Sequence, residues 1–365
     1  MKPRGNGQWA TFAQFVGKHH KITIALSAGM FVIGVAFLVA GFWFEHKTAT
    51  ITSQGVNQSQ TVHVASNGQV TYYSPLTGIK VADQTATKRE VTAIMIENSP
   101  DARPQSGLKT AGVVFEAVAE GGITRFLTLH QEDRPGLIGP VRSLRPYYID
   151  WLAPFDASVA HVGGSANALT TIRNGQFKDI DQFFNGNYYW RATDRYAPHN
   201  VYTNFDKLDA LNAAKGYTSS NFTGFGRKFD NPVAAPNAKQ ISVHISGPLY
   251  DSGYTWDAAS DSYLRSEGGA PHKDREAGQI NPKTVVVMRV PVQIAYEDGY
   301  REQMTTTGVN QAYIFQDGTV IDAFWRKDGQ KNQLTFYDHA GNPIAFNVGQ
   351  TWLTAVAPDE AVTWQ

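Results

Sequence analysis

Cysteine is absent from the 365 residues, which rules out disulfides, thiolate metal sites and cysteine nucleophiles. A chain this long folds without such staples. Net charge is absent as well, with 32 Lys and Arg against 32 Asp and Glu. The balance is uneven along the chain. Residues 1–44 hold Lys2, Arg4, Lys18 and Lys21 and no acid, which leaves 28 bases against 32 acids in the rest. A mildly acidic remainder argues against nucleic-acid partners, which need a net basic face. Metal-ligand patterns are also missing: there is no H-E-x-x-H, no helical His pair at i, i+4 and no acidic calcium loop. No metal and no cofactor is therefore expected. Internal repeats are lacking too.

Uncharged apolar runs are scarce, with one exception. Residues 22–44, ITIALSAGMFVIGVAFLVAGFWF, carry no charge over 23 positions. As a helix at ~1.5 Å per residue they reach about 35 Å, enough for a ~30 Å hydrocarbon core. Lys18 and Lys21 flank the N-terminal side, and Trp43 and Phe44 sit where interfacial aromatics would. A cleaved signal peptide has a shorter apolar core, ~7–15 residues. The segment reads as a single-pass signal anchor, with residues 1–21 as a basic cytoplasmic tail and everything after it extracytoplasmic. Residues 45–71 are rich in Thr, Ser, Gln and Asn and poor in large apolar side chains, the composition of a flexible stalk.

The rest has ordinary globular content, 42% hydrophobic and 12% aromatic overall. EVTAIMIEN (90–98) reads as a strand ending at Ser99-Pro100. GVVFEAVAE and ITRFLTLHQ flank Gly121-Gly122, a two-residue hairpin turn. A regular register from that turn sets Glu120 opposite Ile123 and Val118 opposite Arg125, so that Glu116, Glu120 and Arg125 share a face. Pro146 at N1 opens a short helix over YYIDWLAPF. Residues 157–177 read as strand, Gly-Gly-Ser turn and helix, and NFDKLDALNAAKG (204–216) as a helix with an Asn cap and a closing Gly. Beyond DNPVAAPNAKQ (230–240) strand patterns and turns such as Asp317-Gly318 dominate. The expected fold is an α/β domain with a mixed sheet over residues 72–232, then a smaller β-rich domain over 233–365.

Three clusters carry candidate chemistry. Arg103, Arg125, Arg142 and Arg145 are the first. Guanidinium forks suit phosphates and carboxylates, and Arg142 and Arg145 stand at a helix start, where the macrodipole disfavours cations. Either they meet an anionic ligand or they pair internally with Glu97, Glu116, Glu120 and Asp150. The second is AHVGGSAN, in which Gly163, Gly164 and Ser165 could offer backbone donors and His161 an acid or base. The third is RATDRYAPHNVYTN, with Arg195, His199 and Asn200 in a loop.

These residues carry a resemblance. VTAIMIENSPDARPQSGLKTAGVVFEAVAEGGITRFLTLH, IGPVRSLRPYYID, HVGGS and RYAPHNVY, with FWRKDGQKNQLTFYDHAGNPIAFNVGQTWL near the C-terminus, resemble the YerB-like family of bacterial envelope proteins. The resemblance covers roughly residues 75–357. It implies an α/β domain joined to a smaller β-rich one, exported and membrane-attached, and it brings no catalytic residues. Many members look like lipoproteins with a lipid-modified cysteine; this chain has none and would reach the membrane through its apolar helix.

The function expected from the sequence is an anchored envelope protein that binds an anionic cell-wall polymer or lipid-linked precursor. Arg103, Arg125, Arg142, Arg145, Arg195 and Asn200 would bind it, with Glu116 and Glu120 orienting and the Gly163–Gly164–Ser165 turn donating. A hydrolase or glycan-phosphate transferase using His161 or His199 with Glu97 or Glu120 is the alternative. A scaffold docking wall-synthesis proteins on its C-terminal sheet edge is the third.

Overall fold

The computed structural model describes residues 62–64, 70–294 and 301–365. The expected tail (1–21) and transmembrane segment (22–44) lie outside the described residues. Within the stretch read as stalk, Val62–Val64 pairs antiparallel with Val70–Tyr73, as alternating β-branched residues do.

Fifteen strands and three helices position the site. The N-terminal half supplies β1 (Thr92–Glu97), β2 (Val113–Glu120), β3 (Ile123–His130), α1 (Pro146–Leu152), β4 (Ser158–Ala160), α2 (Ala166–Ile172), β5 (Lys178–Asp179) and α3 (Phe205–Ala214). The C-terminal half supplies β6 (Gln240–Val243), β7 (Ser252–Asp257), β8 (Ser262–Glu267), β9 (Ala270–Pro271), β10 (Thr284–Arg289), β11 (Gly308–Gln316), β12 (Thr319–Lys327), β13 (Thr335–Asp338), β14 (Thr351–Val356) and β15 (Val362–Trp364).

One mixed ten-stranded sheet runs β13-β12-β11-β10-β14-β2-β3-β1-β4-β5. It draws strands from both halves, and β14 joins them by pairing in parallel with β10 on one side and β2 on the other. A second sheet, β9-β8-β7-β6-β15, is made from the C-terminal half. Strands β1 and β14 are buried at every position, which is why they read as near-continuous apolar runs.

The large sheet is covered on both faces. On one face Val113, Phe115 and Leu127 pack with Tyr147, Tyr148 and Trp151 of α1, and Phe115 stacks on Trp151 at 5.4 Å. On the other face Ile94, Ile96, Val114 and Phe126 pack with Phe205 and Leu208 of α3 and with Ile241, Val243 and Tyr254 of the second sheet. The helix signals act as expected. Pro146 stands at the start of α1, Ser165 Oγ accepts from Ala168 N at the head of α2, and Asn204 caps α3 by accepting from Lys207 N.

The β2–β3 hairpin departs from a regular register. Glu120 does face Ile123, but Val118 pairs with Thr124 and Ala117 with Arg125. Ala119 is the extra residue of a β-bulge, and beyond a bulge the side chains change faces. Glu116 therefore points to the face opposite Arg125, while Glu120 stays with it. The shared face expected for the two carboxylates is corrected by this single residue.

Candidate functional site

The arginines sort into three groups rather than one cleft. In the first, Arg125 and Arg145 are almost fully buried. Arg125 donates to Glu120 Oε1 at 2.9 Å and to the Ser143 carbonyl at 2.8 Å. Arg145 donates through Nε to Glu120 Oε2 at 3.0 Å and also through Nη2 to that oxygen, with Nη1 on the Leu144 carbonyl at 2.8 Å. Burial works to raise the Glu120 pKa, but the two guanidinium groups outweigh it and hold the carboxyl below its ordinary value. The Arg145 charge at the start of α1 is thus met by Glu120.

The second group lies on the opposite face. Arg265 and Glu116 are both fully buried, with Arg265 Nη2 3.0 and 2.8 Å from the two carboxylate oxygens. Trp352 Nε1 also donates to Glu116, at 3.0 Å. Glu267 accepts from Asn98 Nδ2 at 2.6 Å and lies 3.5 Å from Arg103 Nε. Burial lifts the Glu267 carboxyl above its ordinary range despite Arg265. Arg103 donates to Asn98 Oδ1 and to the Asn98 carbonyl, both at 3.1 Å, and its guanidinium lies 5.2 Å from the centre of the Tyr250 ring. Buried ionic groups persist only when paired and hydrogen-bonded this way.

The third group is open. Glu97, at the end of β1, is buried. His199 Nδ1 stands 2.9 Å from Glu97 Oε1 and 3.1 Å from Ser99 Oγ, and Ser99 Oγ donates to the same carboxylate oxygen at 3.0 Å. Arg142 Nε lies 3.2 Å from Glu97 Oε2. The Arg142 and His199 side chains are 24% and 22% exposed. Arg142 Nη1 and Nη2 and His199 Nε2 have no partner among the described residues. With Nδ1 turned to the carboxylate, Nε2 is the nitrogen presented outward.

The remaining candidates are occupied within the fold. His161 is fully buried, with Nδ1 2.8 Å from the Gly163 carbonyl and Nε2 3.0 Å from Asp179 Oδ1. Gly163 N donates to Asp181 Oδ1 at 3.1 Å and Ser165 N to the Leu144 carbonyl at 3.2 Å. A Cβ on Gly164 would stand 3.0 Å from that carbonyl. The turn therefore locks α2 against the 142–145 segment, and the Gly163 and Ser165 N–H donors are already used. Arg195 donates to the Asp101 and Pro104 carbonyls at 3.0 and 2.6 Å. Asn200 Nδ2 donates to the Ala192 and Arg195 carbonyls at 3.1 and 3.3 Å. Both hold the 191–200 loop so that His199 reaches Glu97. Asp150 accepts from Thr306 and Gln330.

Glycine is required in GPVRS by the same loop. Gly139 has φ +150, and a Cβ there would fall 2.7 Å from Tyr202 Cδ1 and 2.9 Å from the Val201 carbonyl. Sequence reading passed over Ser99, Arg265 and Glu267. A usable signal was present in SYLRSE, where Arg265 and Glu267 fall in phase with buried Tyr263. Charges on the inward phase of a strand mark a buried ionic network.

Comparison with known proteins places the chain. Residues 76–218 match the family described as "Protein of unknown function (DUF3048) N-terminal domain", and residues 241–353 match its C-terminal domain. A protein of Bacillus subtilis (strain 168), "Putative lipoprotein YerB", is 33% identical over 292 residues, 78% of this chain and 86% of its own. The chain belongs to the YerB-like family. The crystal structure of YerB protein from Bacillus subtilis matches this fold with a TM-score of 0.71 at 29% identity, covering 80% of this chain and 99% of that one. The two YerB-like family regions meet in the ten-stranded sheet, so the Glu116–Arg265 pair joins residues from both.

Proposed function

We propose that this YerB-like chain is a membrane-attached, extracytoplasmic envelope protein that holds an anionic group of a wall polymer or lipid-linked precursor between Arg142 and His199. One observation carries this reading. Of Arg103, Arg125, Arg142 and Arg145, only Arg142 keeps both terminal nitrogens without a protein partner among the described residues, and it stands in a partly open site beside an imidazole. A guanidinium fork left over after internal pairing suits a phosphate or carboxylate. Placement at the envelope draws on the apolar 22–44 segment and on the relative's description as a lipoprotein. The test is binding of the full-length protein in detergent to undecaprenyl phosphate and to purified anionic wall polymer. Loss in Arg142→Ala with retained stability supports the site; unchanged binding removes it.

A second reading rests on the Glu97–His199 contact. A carboxylate on Nδ1 leaves Nε2 as a proton acceptor, the arrangement of a general base. Ser99 lies on the Nδ1 side, so it is not placed as a nucleophile on Nε2. Under this reading Arg142 would stabilise charge developing on a phosphoryl or glycosyl group. Turnover of a lipid-linked wall precursor that is lost in His199→Ala, with binding preserved, would favour it over simple binding.

A further inference from the structure

A separate cavity lies beside the outer part of the 191–200 loop. It measures about 350 Å³ and is lined by Leu137, Trp190, Arg191, Asp194, Tyr202 and Arg275, within the size range of small-molecule sites. Trp190 and Tyr202 are directly paired across two short antiparallel strands. The Trp190 indole is half-buried and has no aromatic partner among the described residues. Tyr202 is 1% exposed, and the Arg275 guanidinium stands beside its hydroxyl.

The charged groups are accessible. Arg275 Nη2 donates to Asp194 Oδ2 at 2.8 Å, and the two side chains are 37% and 51% exposed. Such surface pairs are weak and open readily to a competing anion. Arg191 uses Nη1 on Asn200 Oδ1 at 2.8 Å. Arg275 is fixed in place by its own backbone N–H, which donates to the Gln105 carbonyl at 2.8 Å. Arg275 Nε also lies 3.7 Å from Glu276 Oε1, an equally exposed contact, and Arg191 has no carboxylate partner among the described residues.

We infer that this cavity binds a pyranose ring carrying an acidic group, a uronate or a sugar phosphate. The apolar face of the ring lies on the Trp190 indole. Its acidic group takes the Arg275 and Arg191 forks. Its hydroxyls meet Asp194. The site is distinct from Arg142 and His199 and stands whether or not those residues bind a ligand.

The experiment is isothermal titration of the full-length protein in detergent with glucuronate, glucose 1-phosphate, glucose and inorganic phosphate. Glucuronate or glucose 1-phosphate, or both, should bind at least ten-fold tighter than glucose and inorganic phosphate. Whichever binds identifies the acidic group. Arg275→Gln, a surface change, and Trp190→Ala should each weaken binding at least ten-fold, while Arg142→Ala leaves it unchanged. No binding of either acidic sugar, equal binding of glucose, wild-type affinity in Arg275→Gln, or loss in Arg142→Ala would each overturn the assignment.

Discussion

Glu120 stands between two guanidinium groups that the sheet would otherwise bury without a counter-charge. Removing one member of a buried ionic group strands the rest, at a cost of roughly 3–5 kcal/mol. Glu120→Ala is expected to lose about that much in urea denaturation, whereas Arg142→Ala, which leaves Glu97 its contacts with Ser99 and His199, should lose less. The contrast separates the arginines that hold the fold from the one left to face a ligand. Because the folded Glu120 carboxyl titrates below its ordinary value of 4.5, its contribution is present above that value and is lost as pH falls through the folded one. His130 acts over a wider range. It is buried, its ring nitrogens lack partners, and burial together with Arg134 pushes its pKa down to about 3. Between that value and the ordinary 6.5 the unfolded chain binds a proton that the folded one refuses. Stability therefore rises with pH across the interval, by about 1.4 kcal/mol per pH unit. His130→Phe should flatten that slope, read as the difference in unfolding free energy between pH 4 and pH 6 for the two proteins.

Elements were legible in the sequence where local chemistry decides them. Pro146, Ser165, Asn204 and the Gly121-Gly122 and Asp317-Gly318 turns all sit where capping and turn rules place them. The bulge at Ala119 was not legible, because alternation in GVVFEAVAE fits a regular strand equally well and only the packing of Arg125 against α1 separates the two. That one residue decides which carboxylate meets which arginine, so the site was foreseen as a set of residues and not as a set of pairs. Gly139→Ala tests the loop that carries His199. Its Cβ would press on the Tyr202 ring and the Val201 carbonyl, and the expected loss is about 1–3 kcal/mol in urea denaturation.

At the scale of the whole molecule, a change of sequence texture near residue 232 does not interrupt the main sheet. Residues far apart in sequence pair at β14–β2 and at Glu116–Arg265, and composition carries no trace of such pairings. A fragment of residues 72–232 would expose the β2 edge and leave Glu116 buried without Arg265. It is expected to show no cooperative thermal transition and to aggregate on size exclusion, against a single sharp transition for the full chain. The placement of β14 also bears on the moment of synthesis. This strand, which completes the centre of the sheet, is the last of the ten to leave the ribosome. Until then the nascent chain carries two partial sheets, one with β2 and the other with β10 as an open edge, each able to pair with a neighbouring chain. The protein cannot fold progressively from its N-terminal end, and a holding factor that shields β2 during translation would raise its yield more than any gain in final stability.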